Sequence, residues 1–202
     1  MRHCLASFVI AVILPAMLWA QTSSSKSKPH GKPATPAPRE TAETTYRNPD
    51  FGFTYKIPYA WIDRTKQMQD NSADPSKSKL LLAVFERPPE VTGDTVNSAV
   101  IITAESTSSY PGLKTAADYM GSLTELTTGK GFKTDGGPYE FPVGAVTLVR
   151  GDFTRIAGSV SMHQSSLVVL RKGFVISFTF VAGSDDEIDE LIEKLSLASS
   201  KP

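Results

Sequence analysis

The hydrophobic positions of this chain change their period several times after Tyr46, and each change predicts an element. Tyr46, Phe51, Phe53, Tyr55, Ile57 and Trp61 crowd into sixteen positions, interrupted by a turn at Asn48-Pro49-Asp50 and stopped at Pro58. Within that stretch Phe53, Tyr55 and Ile57 alternate with Thr54 and Lys56, the period of a half-buried strand, and Pro58 ends it because proline has no N–H for a ladder. Lys66 to Lys79 is polar, with Asn71, Asp74 and Pro75, and reads as a loop. Leu80 to Phe85 and Ala99 to Ile102 are apolar without alternation, which places two strands inside a sheet covered on both faces.

Between Leu113 and Leu126 the period lengthens to helical spacing at Leu113, Ala116, Ala117, Met120 and Leu123. Thr115 with Asp118 three residues on predicts the helix cap, and Gly129 its stop. After a turn at Gly136-Gly137-Pro138 come three extended runs: about Val143 to Ile156, Ser159 to Leu170 and Gly173 to Ala182. Arg171-Lys172-Gly173 separates the last two at hairpin distance. Phe174, Ile176, Phe178 and Phe180 alternate with Val175, Ser177, Thr179 and Val181, the pattern of a central antiparallel strand. Ser184-Asp185-Asp186-Glu187 then predicts a capping box, and Ile188, Leu191, Ile192 and Leu195 one stripe of a last helix from Asp185 to Ala198. Strands, a helix, more strands and a final helix give an α+β domain: an antiparallel β-sheet flanked by helices.

The chain ahead of this core is of another kind. Residues 1–20 carry Arg2 and His3, an apolar run from Leu5 to Trp19, and the small Ala20 ahead of polar Gln21, the order of a secretory signal peptide. The run falls short of the roughly 20 residues that span a bilayer. Export, with cleavage near Ala20 and a periplasmic or extracellular destination, is therefore the expectation. The bulk of Leu18 and the positive charge of Lys26, Lys28 and Lys32 leave retention as an uncleaved anchor as the alternative. Residues 21–45 are rich in Ser, Thr, Pro and Lys and lack aromatics, the composition of an extended tether that has too little apolar surface to order itself. The stretch 46–200 is of single-domain size, enough to bury about 70% of its unfolded surface in one core.

Charge narrows the partners. Of 21 basic residues five lie before Tyr46, and of 21 acidic residues two do, leaving 16 basic against 19 acidic from Tyr46 onward. A mildly acidic domain offers no phosphate-binding surface, so nucleic acid is not an expected partner. The single cysteine, Cys4, falls in the signal, so disulfides, thiolate chemistry and cysteine metal sites are not expected of the exported form.

The Tyr46-Arg47-Asn48 opening, Phe51-Gly52-Phe53, Pro58 and Trp61, the paired strands after them and the hairpin leading into a capped last helix resemble the PsbP-like superfamily. That group includes the extrinsic oxygen-evolving protein of photosystem II and many exported bacterial proteins of unknown role. Ala60 stands where the family often has glycine. The resemblance covers nearly the whole domain and implies an α/β/α sandwich serving as a non-enzymatic, partner-binding module.

The residues themselves offer little chemistry. His163 is the one histidine in the domain; catalysis there needs Ser161, Ser165 or Ser166 beside it and an acid such as Asp152, yet none of these serines sits in a nucleophile-elbow sequence. A strand residue facing solvent is the simpler reading. One histidine without cysteine predicts no metal site, and the acids from Asp185 to Glu193 are explained by the favourable dipole at a helix start. Glycosidase-type carboxylate pairs, Glu105 with Glu125 or Asp152, depend on separations that sequence does not give. Tyr59, Trp61 and His163 are thus the candidate partner-binding residues, with no catalytic residue, cofactor or metal assigned. A binding or assembly module of the cell envelope, meeting a protein or small-molecule partner, is the expected function, and a periplasmic hydrolase with a carboxylate or Ser/His site the alternative. N-terminal sequencing of protein recovered from the envelope should find a chain starting near Gln21; a chain starting at Met1 in the membrane fraction would establish the anchor instead.

Overall fold

The computed structural model describes residues 44–70, 78–91 and 93–198. Residues 1–20 and nearly all of the expected tether lie outside them. The first element is a hairpin of β1 (Thr44–Asn48) and β2 (Phe53–Ile57), in which Thr44 and Thr45 pair with Ile57 and Lys56. β1 thus reaches two residues ahead of Tyr46, because two β-branched residues extend the ladder before the first aromatic. Asn48 makes the turn: its Oδ1 accepts the Phe51 N–H at 3.0 Å and its carbonyl the Gly52 N–H at 2.9 Å. A leucine-rich strand follows after β3 (Ile62–Asp63) and a short helix, α1 (Thr65–Asp70). That helix occupies the first part of the expected loop. Thr65 N–H bonds to Asp63 Oδ1 at 2.8 Å to start it, and Met68 gives it an apolar contact with the sheet.

β4 (Ser78–Phe85) and β5 (Ala99–Ser106) are joined to β10 (Phe174–Ala182), β9 (Val160–Arg171) and β8 (Val146–Ala157) in the order β3-β4-β5-β10-β9-β8-β6, where β6 is Lys133–Thr134. β7 (Tyr139–Val143) also pairs with β8, beside β6, and every pairing is antiparallel. The extended run expected from about Val143 to Ile156 is β8, and β7 ahead of it is a strand that the sequence pattern did not predict; the chain turns back between the two at Gly144, whose φ is 62°.

β10 sorts the core by parity. Ile176, Phe178 and Phe180 face one layer, while Val175 and Val181 face the other. A register shift between Leu80 and Leu82 turns Leu81 and Leu82 to the same side, so β4 also serves both layers. The helical layer contains α1 and α2 (Ala116–Gly129), the latter capped by the expected box: Thr115 accepts from Asp118 N–H, and Asp118 accepts from Thr115 N–H. Those backbone bonds from Thr115 and then Lys114 hold the Asp118 carboxyl below its ordinary range. α2 seats fully buried Met120 against β8 at Gly151, where a Cβ would come within 3.0 Å of the Met120 sulfur.

The other layer differs from a plain helical cover. α3 (Asp185–Ile192) ends earlier than its apolar stripe suggested, and Leu195 is not helical: β11 (Leu195–Leu197) pairs with β2 and completes a second, three-stranded sheet, β1-β2-β11. Leu195 and Leu197 point inward at strand spacing, a period that overlaps the helical one over so few residues. The result is an α+β sandwich: helices, the large sheet, then α3 with the small sheet.

Pro58 ends β2, and Ala60 follows at φ 63°, a left-handed position that costs a residue with a Cβ about 1–2 kcal/mol. Ala60→Gly, at an exposed site, should stabilise the domain by about 0.5–1 kcal/mol once the extra unfolded-state entropy of glycine is deducted. Leu191→Ala on α3 and Leu195→Ala on β11, each 4% exposed, should cost about 2–5 kcal/mol in denaturant unfolding. Wild-type stability in both leucine variants would remove this layer from the core.

Candidate functional site

α3 is fixed to the large sheet by its carboxylates. Ser184 caps it by accepting the Glu187 N–H at 3.2 Å, but Glu187 does not complete the reciprocal box. Its Oε2 accepts the Gly183 N–H at 3.2 Å, and its Oε1 accepts the Ser98 hydroxyl at 2.5 Å, so the side chain ties α3 to the segment entering β5. One helical turn apart, Asp185 reaches His163 on β9 and Asp189 reaches Arg150 on β8. Two of the acids that sequence explains by the helix dipole therefore also hold the helix in place.

Arg150 has the most elaborate setting in the domain. Its Nε donates to Asp152 Oδ1 and its Nη1 to Asp189 Oδ1, both at 2.9 Å, with only 9% of its side chain exposed. Tyr139 donates its hydroxyl to the second Asp152 oxygen at 2.9 Å. The guanidinium carbon lies 4.9 Å from the Phe141 ring centroid and 5.9 Å from that of Tyr139, within cation–π range. Burial pulls the guanidinium pKa down, yet the bonds to Asp152 and Asp189 outweigh it and the net direction is up. Burial, aided by the bond to Asp152, pushes the Tyr139 phenol up to about 12. Beside this group a groove of about 410 Å³ runs between β7 and the end of α3. The sequence signal for it is Arg150 and Asp152 two positions apart, which puts both on one face of an extended run.

His163 stands between Asp185, 2.6 Å from Nδ1, and Ser161, 3.2 Å from Nε2. That is the order of a Ser-His-Asp relay, assembled with Asp185 rather than the Asp152 that sequence offered. Its setting is open: Ser161 is exposed and the Asp185 side chain is 69% exposed, so a substrate acyl group there would sit in water. Ser165, one of the other candidate partners, is wholly buried opposite Asp152. Trp61 is half-buried against the main core and Tyr59 is 63% exposed on the turn after β2. Both precede β3, four strands away from β9, so the three sequence candidates are not gathered into one site.

The carboxylate pairs separate as well. Glu105 accepts the hydroxyls of Tyr110 and Tyr119 on the helical side of the sheet, whereas Asp152 belongs to the Arg150 cluster beneath α3. Burial, reinforced by the Glu105 carboxylate, pushes both phenols up. Glu125 is exposed on α2. Among the described residues no three His, Cys, Asp or Glu side chains gather as a metal site.

No protein-family model matches the chain, and no curated protein matches it. Solved structures do. Cyanobacterial PsbP (CyanoP) from Synechocystis sp. PCC 6803 superposes with a TM-score of 0.53 at 13% identity, over 82% of this chain and 98% of that one. Weaker likenesses are the Saccharomyces cerevisiae Ran-binding protein Mog1p, with a TM-score of 0.46, 11% identity and coverage of 78% and 96%, and LpqN, involved in cell envelope biogenesis of Mycobacterium tuberculosis, at 0.42, 13%, 78% and 91%. At such identities the likeness speaks for architecture alone, and the architecture is the one that the aromatic opening resembled: the domain has a PsbP-like fold.

Proposed function

We propose that this chain is an exported binding or assembly module of the cell envelope and not an enzyme. The observation that carries the reading is how its polar side chains are employed. Arg150, His163, Asp185 and Asp189 are engaged in holding α3 against the sheet, while the concave surface beside them has half-buried Phe141 as its apolar wall and the buried Val143, Ile192 and Leu195 beneath it. Apolar walls with a few charged groups at the margin suit recognition. A signal-like start and a Pro- and Lys-rich segment ahead of the domain support export, and the acid balance after Tyr46 supports a partner other than nucleic acid.

The hydrogen-bonded order Ser161–His163–Asp185 favours hydrolysis as a second reading. The two are separated with p-nitrophenyl acetate as substrate for the purified protein, Ser161→Ala and His163→Ala. Binding function predicts that the wild type releases nitrophenol no faster than Ser161→Ala. Turnover lost by more than about tenfold in both variants, with their unfolding midpoints unchanged, would make the protein a hydrolase.

A further inference from the structure

The groove between β7 and α3 has a charge that the fold does not neutralise. Phe141, Pro142 and Val143 form one wall, and Ile192, Glu193 and Leu195 the other, with Arg150 and Asp189 between. Arg150 brings no net positive potential, because Asp152 and Asp189 both bond to it. Glu193, exposed at the end of α3, forms no ion pair among the described residues. Asp189, with 62% of its side chain exposed, and Glu193 lie four residues apart, on one side of the helix. A lipid-like or wholly apolar ligand would leave Glu193 beside it unpaired, and an anion would face both acids.

From this charge pattern we infer that the groove receives a lysine or arginine side chain from an extended, basic and apolar peptide segment of a partner protein. The aliphatic stem of such a side chain packs on half-buried Phe141, over a floor of buried Val143, Ile192 and Leu195, and its charged head meets Glu193 and Asp189 at the rim. Recognition runs through side chains and not through strand addition: Pro142 interrupts the outer edge of β7, where a docking strand needs an N–H. One Arg150 nitrogen, Nη2, has no partner among the described residues and is free to donate to a peptide carbonyl. The inference deepens the binding reading and rests on it.

The test titrates the purified protein with a fluorescein-labelled peptide of alternating leucine and lysine, and with its counterpart carrying glutamate for lysine. Saturable binding of the lysine peptide is expected, weakened by added salt, with amide shifts concentrated at residues 141–144 and 192–195. Glu193→Lys should weaken it at least about fivefold, as for a reversed rim charge, and Glu193→Gln by less. Unchanged unfolding midpoints show that the fold survives; should Glu193→Lys unfold, Glu193→Gln and the two peptides on the wild type decide. The inference is overturned by the absence of saturable binding, by equal or tighter binding of the glutamate peptide, by shifts located elsewhere, or by affinity indifferent to Glu193. None of those outcomes touches the binding reading, which falls only to Ser161- and His163-dependent ester turnover.

Discussion

Phe53 meets Phe178 edge to face, with centroids 5.2 Å apart at 84°, and Tyr55 lies beside Phe180 at 6.3 Å. These two contacts join the small sheet to the large one, and nearly everything else about the domain depends on them. Each aromatic side chain buries more surface than any aliphatic one, and an edge-to-face pair adds about 0.5–1.5 kcal/mol beyond that burial. With β2 docked on β10, the large sheet is covered on the face opposite α1 and α2, which explains why β4, β5 and β10 are apolar on both sides. Without that cover, Ile102, Ile176 and Leu167 would face water.

The polar layer beside this core answers a different need. α3 has an apolar stripe that can slide along a sheet, because hydrophobic burial is not directional. Three directional contacts prevent it: Glu187 to Ser98, Asp185 to His163 and Asp189 to Arg150. An ion pair whose carboxylate is mostly exposed, as those of Asp185 and Asp189 are, adds little net stability because water screens it, so these pairs serve better to fix a position than to strengthen a fold. By fixing α3, these contacts also fix the width of the groove against β7.

The alternating β2 and β10 and the unbroken apolar run of β4 were legible from the residues alone, as was the Thr115–Asp118 cap of α2. So were the class and the sandwich, since strands apolar on both faces require two covers. Short elements without a period of their own were not. Leu195 continues the helical stripe of Ile188, Leu191 and Ile192 and also stands at strand spacing from Leu197, and only pairing with β2 decides between them. β7 went unread because Pro142 stands inside a five-residue stretch, and proline fits a strand only at an edge, which is a property of the sheet and not of the local pattern. α1 is polar enough to pass for a loop. The site was least legible: Tyr59, Trp61 and His163 were chosen by residue type, whereas the Arg150 cluster draws on β7, β8 and α3, which no local window joins.

β11 carries a further consequence. It closes the small sheet by pairing with β2 across most of the domain's length, and Arg171 seals the junction by donating to the carbonyls of Phe51, Gly52 and Ala198. The earliest hairpin to leave the ribosome thus waits for the last strand before its aromatic face is enclosed. Such long-range closure raises contact order and slows folding, because loop entropy is lost before the contact is gained. During synthesis the chain is an open, unsealed polymer with a sticky N-terminal hairpin. In that interval Phe53 and Tyr55 offer apolar surface to any neighbouring chain, so it is the arrival of β11 that ends the domain's exposure to aggregation.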